Sequence, residues 1–242
     1  MRFFYSLLLF GSLCGISIEG RAQPLSDDEF FKLKQITTEL LQRFPPSEYF
    51  YVGFGRSPTT IIAHLNGHGL DAVTVPLTAM SIYAESRIGS GLEPELYQHI
   101  STYLPKAEQL GMKKILLIDF VSKGRTLRKA TTALRYVLNF QERGETSVQP
   151  LALHHPGRLA DQMGYGDTEW ISTYGLDLYT PEFKARFSEY EPYSPVSRRF
   201  GKFPVRRTNY DDLVSFLKER ISGNPNKPSC REALSLFINR IP

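Results

Sequence analysis

Strands alternating with helices through short links predict an α/β protein with a doubly wound parallel sheet. Three observations carry that reading. Residues 115–118 are Ile-Leu-Leu-Ile, a continuous apolar run of the kind that suits a strand buried on both faces. Asp119 closes the run with a charge, and Gly124 lets the following polar loop turn. From Thr126 the pattern becomes helical, with Leu127, Ala130, Ala133, Leu134, Val137 and Leu138 at spacings of three and four. A strand, an acidic residue, a small loop and a helix together make a unit whose helix N-terminus offers backbone N–H groups to a phosphate.

The other elements follow in order. Residues 26–44 predict an amphipathic helix: Ser26 and Glu29 have capping-box spacing, and Phe30, Leu33, Ile36, Leu40 and Leu41 form the apolar face. Pro45 and Pro46 stop it. Residues 49–53 are aromatic and β-branched and predict the first strand. Gly53-Phe54-Gly55-Arg56 then makes a tight turn. Ser57 is a good N-cap and Pro58 suits a first helical position, so a helix is expected over residues 58–65. Residues 71–76 read as the second strand. Residues 79–91 read as a loop, and residues 94–111 as a helix with Pro105 inside it. The helix after Asp119 is expected to end near Gly144, and residues 147–153 form another strand before His154-His155-Pro156-Gly157. After Gly157 the rhythm breaks. Residues 158–208 are rich in Tyr, Pro, Arg and Glu, with only short candidate elements. Two terminal helices are expected at 210–221 and 229–241, separated by Gly223-Asn224-Pro225.

Composition bounds the class. The chain has 242 residues, 41% of them hydrophobic, enough for one large domain or a domain with a cap. A net charge of +4 and a pI near 9.0 fit an anionic ligand without requiring nucleic acid. Met1 and Arg2 make a short basic start, residues 3–18 are mostly apolar, and Gly20-Arg21-Ala22 places small residues where a signal peptidase reads. The sequence thus predicts export to the periplasm or medium, with cleavage after Ala22 and no later span. An uncleaved anchor would need a longer apolar stretch. Cys14 would leave with the signal, so Cys230 is left without a partner and no disulfide framework follows. The expected organisation is a signal peptide at 1–22, an α/β core with its N-terminal helix at 23–157, and a Tyr/Arg-rich extension with terminal helices at 158–242.

Several common motifs are missing. The sequence has no G-x-S-x-G elbow, no G-x-x-x-x-G-K-[ST] loop and no H-E-x-x-H helix. Gly53-Phe54-Gly55-Arg56-Ser57-Pro58 opens like a dinucleotide fingerprint, but Pro58 stands in place of the third glycine. Asp119-Phe120-Val121-Ser122-Lys123-Gly124-Arg125-Thr126 instead resembles the D-x-x-T-T-G-G-T loop of the type I phosphoribosyltransferases at Asp119, Gly124 and Thr126. Val52-Gly53-Phe54-Gly55-Arg56-Ser57-Pro58 resembles the pyrophosphate loop of that family, often V-G-x-x-R-G-G. Both segments follow strand ends, where open α/β sheets bind their ligands. The resemblance spans residues 49–153 as an order of elements.

What the resemblance implies is specific. The fold would be a parallel sheet of phosphoribosyltransferase type. Ser122, Lys123, Gly124, Arg125 and Thr126 would cradle a 5′-phosphate, and Gly53, Phe54, Gly55, Arg56 and Ser57 would hold a pyrophosphate. Asp119 would hold ribose hydroxyls as the catalytic residue, and magnesium would accompany the ligand. The sequence departs from the family at Ile118, where the first acid of a pair is replaced. It departs also at Lys123 and Arg125 in one loop and at Ser57 and Pro58 in the other. The expected function is therefore an exported phosphosugar- or nucleotide-binding protein that transfers a phosphoribosyl group. Two rivals stay open: the same fold binding without turnover, and an interaction protein using the Tyr- and Arg-rich region. The same residues also have plain readings. Asp119 suits a strand end, Arg56, Lys123 and Arg125 a solvated surface, and His154 and His155 a turn. Tyr83, Glu85 and Arg87 match the family's closing loop by position alone. The basic set Arg198, Arg199, Lys202, Arg206 and Arg207, interleaved with Phe200 and Phe203, suits an ordinary solvated surface, and no specific nucleic-acid partner is expected.

Overall fold

The computed structural model describes residues 25–55, 57–75, 94–105, 111, 114–121, 125–156, 167–177 and 210–223. Their elements are α1 (Asp27–Arg43), β1 (Tyr49–Phe54), α2 (Thr59–Gly67), β2 (Ala72–Val75), α3 (Pro94–Tyr103), β3 (Lys114–Phe120), α4 (Arg125–Phe140), β4 (Val148–His154), β5 (Glu169–Ser172) and α5 (Tyr210–Ile221). The five strands form one sheet in the order β2-β1-β3-β4-β5, with every neighbouring pair parallel. The α/β class and the parallel sheet agree with the sequence.

The two faces have separate cores. Tyr51, Leu116, Ile118, Phe120, Leu151, Leu153 and Ile171 pack with α1, α2 and α5. Phe50, Val52, Phe54, Ile115, Leu117 and Ala152 pack with α3 and α4. Alternate residues of one strand therefore enter opposite layers, which is why the central strands read as unbroken apolar runs. From β1 the chain steps one way to β2 with α2 on the first face. It then crosses back past β1 to β3 and continues to β4, with α3 and α4 on the second face. A reversal of direction under right-handed crossovers puts helices on both faces.

Local chemistry sets the boundaries. The Ser26 hydroxyl accepts from the Glu29 N–H at 3.2 Å, and the Glu29 carboxylate accepts from the Ser26 N–H at 2.8 Å, completing the expected capping box. Leu33, Ile36 and Leu40 of α1 are fully buried. The C-terminal turn of α1 is tied to the β5 edge, where Arg43 donates to the Trp170 carbonyl at 2.6 Å and pairs with Glu169. The Tyr51 phenol donates to the Phe44 carbonyl at 2.6 Å, and burial pushes its pKa up. Asn66 joins three elements: its carbonyl accepts from the Ala72 N–H that opens β2, and its amide donates to the Tyr210 hydroxyl of α5. Burial holds that phenol up at about 12, against the Asn66 hydrogen bond.

Four details differ from the sequence reading. The helix expected over residues 94–111 ends at Tyr103. Pro105 disfavours helical geometry at Leu104, so it terminates the helix instead of kinking it. The cap of α2 falls on Pro58, which makes no side-chain cap hydrogen bond, so Ser57 is not the N-cap. The helix after Asp119 stops at Phe140, and the 141–146 stretch is turns. Beyond Gly157 the sheet gains β5, four residues long and paired parallel to β4 from Leu151↔Glu169 to His154↔Ser172. The expected helix at 229–241, the loop at 79–91, the signal at 1–22 and the basic set at 198–207 lie outside the described residues.

Candidate functional site

The β1–β3 ladder runs from Tyr49↔Lys114 to Gly53↔Ile118 and stops there. Beyond that pair the two strands hold on to different partners. The Gly55 N–H donates to the Val75 carbonyl, continuing from β1 toward β2, and the Val121 N–H donates to the Leu153 carbonyl, continuing from β3 toward β4. The last hydrogen bonds of β1 and β3 thus point away from each other. The C-terminal ends of the two strands therefore part, and the crevice position of an open parallel sheet falls between them, where the winding of the chain reverses. Ligands of open parallel sheets bind at such a switch point. The two loops singled out in the sequence follow these two strands.

The helices that leave the crevice differ from α1. The first turn of α1 carries Asp27, Asp28 and Glu29, the usual complement to the positive end of a helix dipole. α2 begins with no acidic residue in its first turn and no side-chain cap. α4 also has none, and opens Arg125-Thr126-Leu127-Arg128-Lys129. Of these cations, Arg128 and Lys129 each have an interaction partner. Thr59, first in α2, is buried, and its Oγ1 has no hydrogen-bond partner.

The sequence-predicted residues fall into different roles. Asp119 is one residue past the last β1–β3 pair, opposite Ala152 of β4, and is 4% exposed. Strand alternation places it on the same face as Leu117, under α4. Gly53 is a packing position: a Cβ there would lie 2.8 Å from Ile62 Cγ1 and 2.9 Å from Pro58 Cγ, so its smallness lets α2 close on β1. The Phe54 side chain is buried in the α3/α4 core. Gly55 has φ 74°, a conformation that glycine adopts at no steric cost, and its N–H is spent on Val75. Phe54 and Gly55 therefore border the crevice through backbone, with the Gly55 N–H already engaged. Ser57 is half-buried and Thr126 is exposed in the first turn of α4. Arg125 begins α4. Arg56, Ser122, Lys123 and Gly124 lie outside the described residues.

Sequence reasoning missed Lys129. It is 3% exposed, in the second turn of α4, on the sheet face that also carries Asp119, and each of the two residues has an interaction partner. It lies off the apolar stripe of α4, and nothing in the sequence around it marks it as buried. Ile118 is fully buried in the core under α1 and α2, on the face opposite Asp119. The described residues contain no cluster of three metal-ligating side chains. No helix among them is long and apolar enough to cross a membrane. No family model matches the chain, and no curated protein matches it.

Proposed function

We propose that the crevice between β1 and β3 binds a phosphate-bearing ligand, a phosphosugar or nucleotide, in a phosphoribosyltransferase-like protein that is exported. One observation carries the reading: the hydrogen-bond ladders part after Gly53 and Ile118, and two helices without acidic first turns start from the parted ends. The residues 122–126 hold the phosphate at the N-terminus of α4. The turn from Phe54 to Ser57 borders the leaving group at the start of α2, where a ligand oxygen or water would satisfy the Thr59 hydroxyl. Asp119 holds the sugar hydroxyls. Transfer then rests on positioning and on stabilising a cationic sugar centre between fixed groups. Magnesium, when bound, would neutralise phosphate charge; Asp119 is the crevice carboxylate to which a ligand-borne ion would attach.

A second reading, binding without turnover, is favoured by Ile118. The family pattern has an acid there, and in this chain the position is an apolar core residue. Product assays separate the two: pyrophosphate release with a ribosyl acceptor supports transfer, and tight binding without release supports the binding module. The site itself is tested by a thermal-shift screen of phosphosugars and nucleotides, with and without magnesium. A ligand at 100 times its Kd stabilises the folded state by about 2.7 kcal/mol. Titration of the best ligand should fail with Gly124→Val, because a β-branched side chain fills the close approach. Lys123→Ala should bind more weakly and with less salt dependence. A folded Gly124→Val protein that binds like the parent would remove this loop, and the role of Asp119 with it.

A further inference from the structure

His64 of α2 is fully buried, and neither ring nitrogen has a hydrogen-bond partner among the described residues. Its ring stands edge-on to Phe30 of α1, 5.6 Å between centroids, and to His68 one turn along its own helix, 4.8 Å away. Phe30 in turn carries the Arg220 guanidinium of α5, 4.3 Å from its ring centroid. Among the described residues, the titratable and charged groups around this junction are Lys34 on α1, His68 at the end of α2, and Arg220 on α5 with its ion-pair partner Asp27 on α1. Lys218 of α5 runs its backbone beside Gly67. The core cluster beneath supplies the Tyr51 phenol, which is neutral and bonded to Phe44. The one carboxylate among these groups, Asp27, is occupied by Arg220.

We propose that His64 is an acid-operated latch: neutral, it seals α1 and α5 onto α2, and on protonation it opens that helical layer. An imidazolium here would have two donors and no acceptor, in an apolar pocket edged by cations. A buried charge without a partner is among the most destabilising features a core can hold. Burial first, then His68 and Lys34, lower the pKa of His64 from 6.5 to about 3. Its sign is that of a depressed histidine. The stabilisation is intact above pH 6.5, the unfolded value, and is lost progressively as pH falls from there toward 3. Across that window the unfolded or opened form binds one more proton, so the opening constant rises about tenfold per pH unit. His68, lowered by burial and by Lys34, adds in the same direction. This inference stands without the ligand reading.

The test compares denaturant unfolding of the full chain and of His64→Leu between pH 6.5 and 4.5. The parent's unfolding constant should rise about fiftyfold more than the variant's over that range. At pH 7 the variant should be no less stable than the parent beyond its change in packing, because two unsatisfied nitrogens are removed. Equal pH slopes would overturn the latch. If His64→Leu does not fold, NMR titration of the five histidines in the parent decides instead. One ring that stays neutral down to pH 4 is the expected result, and five rings titrating near 6.5 would overturn the proposal.

Discussion

Gly53 shows how a single residue can carry two readings, of which structure selects one. Its place in a Val-Gly-Phe-Gly-Arg run suggested a loop that touches ligand. Its neighbours say that its missing side chain is space for Pro58 and Ile62. Gly53→Ala should therefore destabilise the protein by about 1–3 kcal/mol through overpacking. Urea unfolding measures it, and an unchanged midpoint would mean that α2 can retreat at no cost. Asp119 was legible because a charge at the end of an apolar run is conspicuous. Lys129 was not, because burial of a helix flank depends on what lies over it, and a helical period shows only the face toward the sheet. Ile118 stands where the resembled family pattern has an acid; it is buried under α1 and α2, where an unpaired carboxylate would be desolvated.

At the scale of elements, caps and breakers explain most agreements and most misses. The capping box of α1 and the period of its apolar face are local, and both were readable. Ser26→Ala removes one half of that box and should cost about 1 kcal/mol. A drop in the thermal midpoint, with far-UV circular dichroism unchanged at low temperature, is the expected result. The end of α3 was misread because Leu96, Ile100 and Leu104 carry a helical pattern up to Pro105, and the proline ends the helix at Tyr103. β5 has four residues, Glu169 to Ser172, with Ile171 as its one buried side chain. Such a strand has too little alternation to announce itself. Its place comes from pairing with β4 and from Arg43 and Glu39 of α1, the latter accepting from the Tyr174 hydroxyl. The contacts with α1 join residues more than 120 positions apart, so no window of sequence contains them.

For the molecule as a whole, the parallel sheet was readable from the alternation of strands and helices, but alternation does not fix the strand order that sets β1 beside β3. The chemistry of the crevice was legible only as a motif, and four of its candidate residues, Arg56, Ser122, Lys123 and Gly124, lie outside the described part. Export is tested independently of the site. Mass spectrometry of the exported protein should find Gln23 at its N-terminus, and an intact Met1 in a cytoplasmic fraction would refute the cleavage reading.

The docking of α5 has a consequence for the order of assembly. Leu213 and Leu217 belong to the same core as β1 and α1, and Tyr210 bonds the asparagine that also anchors the start of β2. A chain emerging from the ribosome therefore has β1, β2 and α2 long before it has the helix that completes their outer layer. Until residue 221 is free, α2 presents Ile61, Ala63, His64 and Leu65 in an unfinished layer. Closing so long a loop is slow compared with local helix formation. The layer over α2 thus stays unfinished until α5 has been made, so α2 and the start of β2 gain their last packing partner late.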